Sequence, residues 1–95
     1  MYARVVRFTD VNLERIAQVA GRIEGGEGPP PGVPAKAMKM MVDEAQSTAV
    51  VVIFFETEED MRKGSETLDQ MDAGETPGTR ASVDHCEVKV EMDVS

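Results

Sequence analysis

Ala49-Val50-Val51-Val52-Ile53-Phe54-Phe55, followed after Glu56 by Thr57-Glu58-Glu59-Asp60, is the stretch on which the fold turns. An unbroken β-branched and aromatic run of this length reads as a strand buried on both faces. The threonine and the three acids read as a helix start, with Thr57 serving the N3 amide and the acids favouring the positive helix end. Met61, Gly64, Leu68 and Met71 then form the inner face of that helix.

Upstream, Asp43 to Thr48 makes a turn, and Ala35 to Asp43 alternates as a strand with Met38, Met40 and Val42 on one face. Glu24 to Pro34 is a Gly/Pro-rich loop, either a lid or a stiffened crossing. Before it, Leu13, Ile16, Ala17, Ala20 and Ile23 form one apolar stripe on a first helix, with capping chemistry at Thr9-Asp10. Tyr2 to Phe8 reads as the first strand. Downstream, Ala73 to Gly78 leaves the second helix, and Arg80 to Val94 reads as a long last strand. Alternation there sets Cys86, Val88, Val90, Met92 and Val94 against a polar face of His85, Glu87, Lys89 and Glu91.

The order strand, helix, strand, strand, helix, strand predicts a ferredoxin-like α+β fold over residues 1–95 as a single domain. Two right-handed crossovers give a four-stranded antiparallel sheet of order 4-1-3-2 with both helices on one face. The other face of the third strand then lies open in a monomer, which points to a partner.

Composition narrows the function classes. The chain has 95 residues, 41% hydrophobic and 29% charged, with 10 basic against 18 acidic residues and a net charge of −8. Such a chain is expected to be soluble and to avoid nucleic acid and anionic membranes, whose binding needs clustered Lys and Arg. No apolar run reaches the ~20 residues of a membrane helix. A lone cysteine and an amino end without a signal-peptide pattern make a cytoplasmic setting the default expectation.

Three segments carry a resemblance: Met1-Tyr2-Ala3-Arg4-Val5-Val6-Arg7-Phe8, the stretch from Ala49 to Met61, and Cys86-Glu87-Val88-Lys89-Val90. Together they resemble the antibiotic biosynthesis monooxygenase-like family of the dimeric α/β-barrel superfamily. The resemblance implies a homodimer in which two sheets meet face to face. It also implies a pocket between helices and sheet, where enzymes of the family oxidise polycyclic aromatic substrates or haem without a conventional redox cofactor. Those enzymes generally use asparagine, tryptophan and histidine; this chain has no tryptophan, and its one asparagine, Asn12, falls at a helix start.

His85, the only histidine, is the catalytic candidate, since imidazole alone has an unperturbed pKa near neutrality. Its neighbour Cys86 points to the other face of a regular strand, so the two cannot form a nucleophilic dyad, and Cys86 reads as a small buried hydrophobe. Arg4 and Arg7 are candidate anchors for an anionic or carbonyl-bearing ligand; the structural alternative pairs them with Glu87 or Glu91 across the sheet. Met38 and Met61 are candidate ligand contacts among seven methionines, soft side chains that equally fill a core poor in aromatics. The residues show no metal-ligand spacing, and no cofactor is implied. The expected function is a homodimeric module that binds a small apolar or aromatic ligand or serves a structural role. The alternative is a cofactor-independent monooxygenase acting on a phenolic or quinol-like substrate.

Overall fold

The computed structural model describes residues 1–25, 32–70 and 77–94. Its elements are β1 (Tyr2–Thr9), α1 (Leu13–Glu24), β2 (Ala37–Asp43), β3 (Thr48–Phe55), α2 (Glu58–Asp69) and β4 (Thr79–Glu87). All strand pairs are antiparallel and the sheet runs β2-β3-β1-β4. This is the ferredoxin-like α+β arrangement that the order of elements predicts.

Strand alternation divides the sheet into two faces. Val6, Phe8, Ala49, Ile53 and Phe55 are buried on the helical face, in two clusters. One cluster gathers Val33, Ile53, Phe55, Met61 and Leu68 beneath α2. The other gathers Val6, Phe8, Val11 and Ala49, and Ile16 of α1 packs onto it. Both helices therefore lie on one side. Val33 enters the core from the Gly/Pro-rich segment, because Lys36 donates its backbone N–H to the Phe54 carbonyl and draws the chain against β3. Residues 26–31 of that segment lie outside the described residues, as do 71–76 with Met71 and the Ile23 side chain.

Several local expectations need correction. The N-cap of α1 is Asn12, not Thr9-Asp10: its Oδ1 accepts from the Glu14 amide at 2.8 Å and the Arg15 amide at 3.4 Å. Asp10 instead turns the chain in the left-handed region, at φ 52°. Leu13 and Ala17 do not join an inner stripe; Leu13 is 55% exposed. The last strand stops at Glu87 because β1, its only neighbour among the described residues, has run out. A single bond from the Val88 amide to the Met1 carbonyl follows. Val90, Met92 and Val94 beyond it are exposed. At the entrance to β4, a Cβ on Gly78 would lie 2.5 Å from the Thr9 carbonyl oxygen, so backbone packs where a side chain would stand.

β1 and β4 are out of simple register at one point. Arg7 pairs with Ser82 but Phe8 pairs with Arg80, leaving Ala81 as the extra residue of a bulge. The bulge turns Arg80 onto the helical face, where regular alternation from Val83 would have placed Ala81.

Candidate functional site

The site begins with Arg4. The middle of β1 puts its side chain on the helical face, where the residue is only 3% exposed. A charge so placed must be paired and hydrogen-bonded. Its Nε donates to Ser65 Oγ at 3.1 Å, and an Nη donates to Asp69 Oδ1 at 2.8 Å. Arg80, re-aimed by the bulge, reaches the same Asp69 oxygen at 3.1 Å. Burial lowers the Arg4 pKa from its ordinary value, an effect opposed by the hydrogen bond and charge of Asp69 and reinforced by the nearby charge of Arg80.

Helical spacing supplies the other half. Met61, Gly64, Ser65 and Leu68 are the buried residues of α2, the i, i+3, i+4, i+7 face. Gly64 brings the helix against the Phe55 ring, and Ser65 stands next to it over β1. The register Arg4↔His85 sets the histidine beside the arginine, on the same face. His85 Nε2 lies 2.8 Å from Ser65 Oγ. Arg4, Ser65, His85, Asp69 and Arg80 thus form one continuous network from β1 and β4 to α2.

The network opens on a cleft of about 520 Å3 along the rim of α2, β1 and β4. Tyr2 and Met61 form its apolar wall, the β4 edge at Cys86 borders it, and its polar lining includes Ser65, His85 and Arg62 with the acids Glu58, Glu66, Asp69 and Glu87. The volume suits a small organic ligand. Arg62 is held by Glu58 one turn earlier. Among the described residues no group of three or more His, Cys, Asp and Glu side chains is placed to hold a metal ion.

The predicted site residues distribute unevenly. His85 and Met61 line the cleft, and Arg4 lies behind it, joined through Ser65. Arg4 does not pair with Glu87 or Glu91, because the helical acid Asp69 reaches it from above. Met38 packs against the α2 cluster from β2, and Arg7 lies exposed on the open face opposite Val50 and Ser82; neither lines the cleft. His85 does alternate with Cys86, but the inner face is His85's. Cys86 is exposed on the side that the helices leave open, contrary to its reading as a buried hydrophobe. Ser65 and Asp69 had no place among the candidates. The signal for Ser65 was available as a polar residue on the apolar stripe of α2, four positions after Met61.

Comparisons of the chain with family models, with curated proteins and with solved structures find no match. Fold and geometry together define a ferredoxin-like α+β domain with a hydrogen-bonded Ser–His pair at the mouth of a cleft. No helix among the described residues is long and apolar enough to cross a membrane.

Proposed function

We propose that the protein is a homodimeric small-molecule-binding module of the antibiotic biosynthesis monooxygenase-like kind, working in the cytoplasm, with the cleft beside α2 as its ligand site. The observation that carries the ligand site is the Ser65–His85 pair at 2.8 Å, backed by a buried arginine and facing an apolar wall. Such a cleft grips an apolar or aromatic body and orients it with few polar groups.

The open sheet face supports the second copy. Register places Ala37, Phe54, Ala3 and Cys86 in one row, Lys39, Val52, Val5 and Asp84 in the next, and Met41, Val50, Arg7 and Ser82 in the third. Val5, Val50, Val52 and Phe54 are half-buried in its centre, and Met41 is exposed at its edge. The middle row is charged at its ends, Lys39 on one edge and Asp84 on the other. A two-fold axis parallel to the strands sets Lys39 against the partner's Asp84 twice, whereas an axis across the strands sets like charges together.

Analytical ultracentrifugation at micromolar concentration is expected to give a dimer of the 10.3 kDa chain. Lys39→Asp should weaken it, and Lys39→Asp with Asp84→Lys should restore it. A stable monomer defeats the dimer. For the cleft, NMR titration with neutral polycyclic aromatics should move Ser65, His85 and Met61 signals; shifts confined to the open face defeat the ligand site.

The enzymatic alternative, a cofactor-independent monooxygenase of phenolic or quinol-like substrates, draws support from the same imidazole, which can take a proton inside the cleft. Oxygen consumption with hydroquinones, lost in His85→Ala, decides for it; no consumption leaves the binding module.

A further inference from the structure

We infer that Ser65 and Arg4 lock neutral His85 in the tautomer protonated at Nδ1, so that the cleft selects ligands presenting a neutral oxygen acceptor, such as a ketone carbonyl. This rests on the ligand site proposed above and adds its chemistry.

Ser65 Oγ is a donor with one proton and an acceptor with two lone pairs. Arg4 Nε–H can only donate, so one lone pair is taken at 3.1 Å. The hydroxyl proton needs an acceptor, because Ser65 is buried and a buried donor left unmet loses its bond to water with nothing in return. Among the described residues His85 Nε2, at 2.8 Å, is the one acceptor in hydrogen-bond reach of that hydroxyl. Thr67, two residues on, turns its hydroxyl back to the Lys63 carbonyl, but Ser65 makes no such bond. Ser65 therefore donates to Nε2, and Nε2 carries no hydrogen in the neutral ring. The hydrogen sits on Nδ1, which has no partner among the described residues, on a side chain that is exposed and lines the cleft. The ring offers a ligand one N–H and no free acceptor. Ser65 is thus a positioning residue, acting through His85.

Charge then chooses among oxygen ligands. Four carboxylates line the cleft, those of Glu58, Glu66, Asp69 and Glu87, against one guanidinium, Arg62. The two arginines behind the wall, Arg4 and Arg80, are both drawn onto Asp69. Arg62 holds Glu58 and Lys89 holds Glu87, so of the four only Glu66 has no cationic partner among the described residues; its charge opposes a carboxylate or phenolate at the mouth and leaves a neutral carbonyl free to accept from Nδ1–H. The buried Arg4 is committed to Ser65 and Asp69, and Arg62 at the rim is held by Glu58, so the anchoring donor is the imidazole and not an arginine.

One histidine in the chain makes the test clean. Long-range proton–nitrogen correlation spectra at about pH 8, where an ordinary imidazole is neutral, should show a protonated Nδ1 and a bare Nε2. Ser65→Ala should shift the population toward the Nε2-protonated form. A wild-type ring protonated at Nε2, or an unchanged ring in Ser65→Ala, overturns the inference. The selection is read by titrating acetophenone, benzoate and ethylbenzene. Acetophenone should bind about tenfold more tightly than ethylbenzene, the discrimination one hydrogen bond carries, and more tightly than benzoate, whose charge Glu66 opposes, and it should move the Nδ1 resonance. Equal or tighter binding of benzoate or ethylbenzene overturns it, as does failure of all three to bind. If the neutral polycyclic aromatics still bind in the cleft, only this inference falls; if they do not, the ligand site falls with it.

Discussion

Two helices of 12 residues cover the same sheet face, yet only one is built into it. α2 buries Met61, Gly64, Ser65 and Leu68 and begins on a formed N-cap, with the Asp60 amide bonded to Thr57 Oγ1 at 3.1 Å. No described side chain of α1 is fully buried, although its stripe is the more regular of the two in sequence. α1 is held mainly at its start: Val11 is buried and donates to the Ser47 carbonyl, and the Asn12 amide reaches the Pro77 carbonyl. Amphipathic spacing thus says that a helix has a side to bury, while small residues at the contact decide how closely it can approach. Gly64 and Ser65 let α2 come close enough to make both a core and a site.

The same substitution in the two helices should have very different costs. Leu68→Ala removes a buried side chain and should destabilise by about 2–5 kcal/mol in urea unfolding, whereas Leu13→Ala should stay within about 0.5 kcal/mol. Equal losses would mean that α1 is packed as firmly as α2. Glycine should reverse sign. A Cβ at Gly64 would lie 2.6 Å from the Phe55 ring, which is fully buried and has nowhere to move. Gly64→Ala should therefore lose stability on balance, overpacking of about 1–3 kcal/mol outweighing the roughly 1 kcal/mol of helix propensity gained. Gly21 has nothing within 4 Å of the same atom, so Gly21→Ala should gain about 0.5–1 kcal/mol. A gain at Gly64 would show that the close approach is not tight.

That contrast also explains what could be read in advance. The element order, the strand order and the burial of β3 on its helical side follow from local periodicity and chain connectivity, which the residues carry. The Thr57 cap did as well. Which face of β4 turns inward did not, since that depends on register with β1, and a polar strand at the edge gives alternation no preferred side. Apolar Val88, Val90, Met92 and Val94 drew Cys86 to the inside, yet β1 had ended before them and they pair with nothing that would bury them. The bulge at Ala81 is a further step removed: no residue there demands it, and only the sheet shows that it places Arg80 on Asp69. The Ser65–His85 pair joins residues 20 positions apart through two such registers. Its chemistry was half visible in His85, while Ser65 looked like one more small residue in a helix.

The smallest effect is the most discriminating. Thr57→Ala and Asn12→Ala remove equivalent caps, each worth about 1 kcal/mol in a helix that unfolds with the whole domain. For α2 that condition holds, so Thr57→Ala should lower global stability by that amount. The described side chains of α1 bury too little surface to hold it through every opening, and its amides should exchange with solvent by local opening at free energies below those of β1, β3 and α2. Asn12→Ala should then speed exchange in α1 while shifting global stability by only a few tenths of a kcal/mol. Exchange in α1 as slow as in α2, together with a full global loss in Asn12→Ala, would make the two helices one cooperative unit. The sparse contacts of α1 would then understate how tightly its anchored start ties it to the sheet.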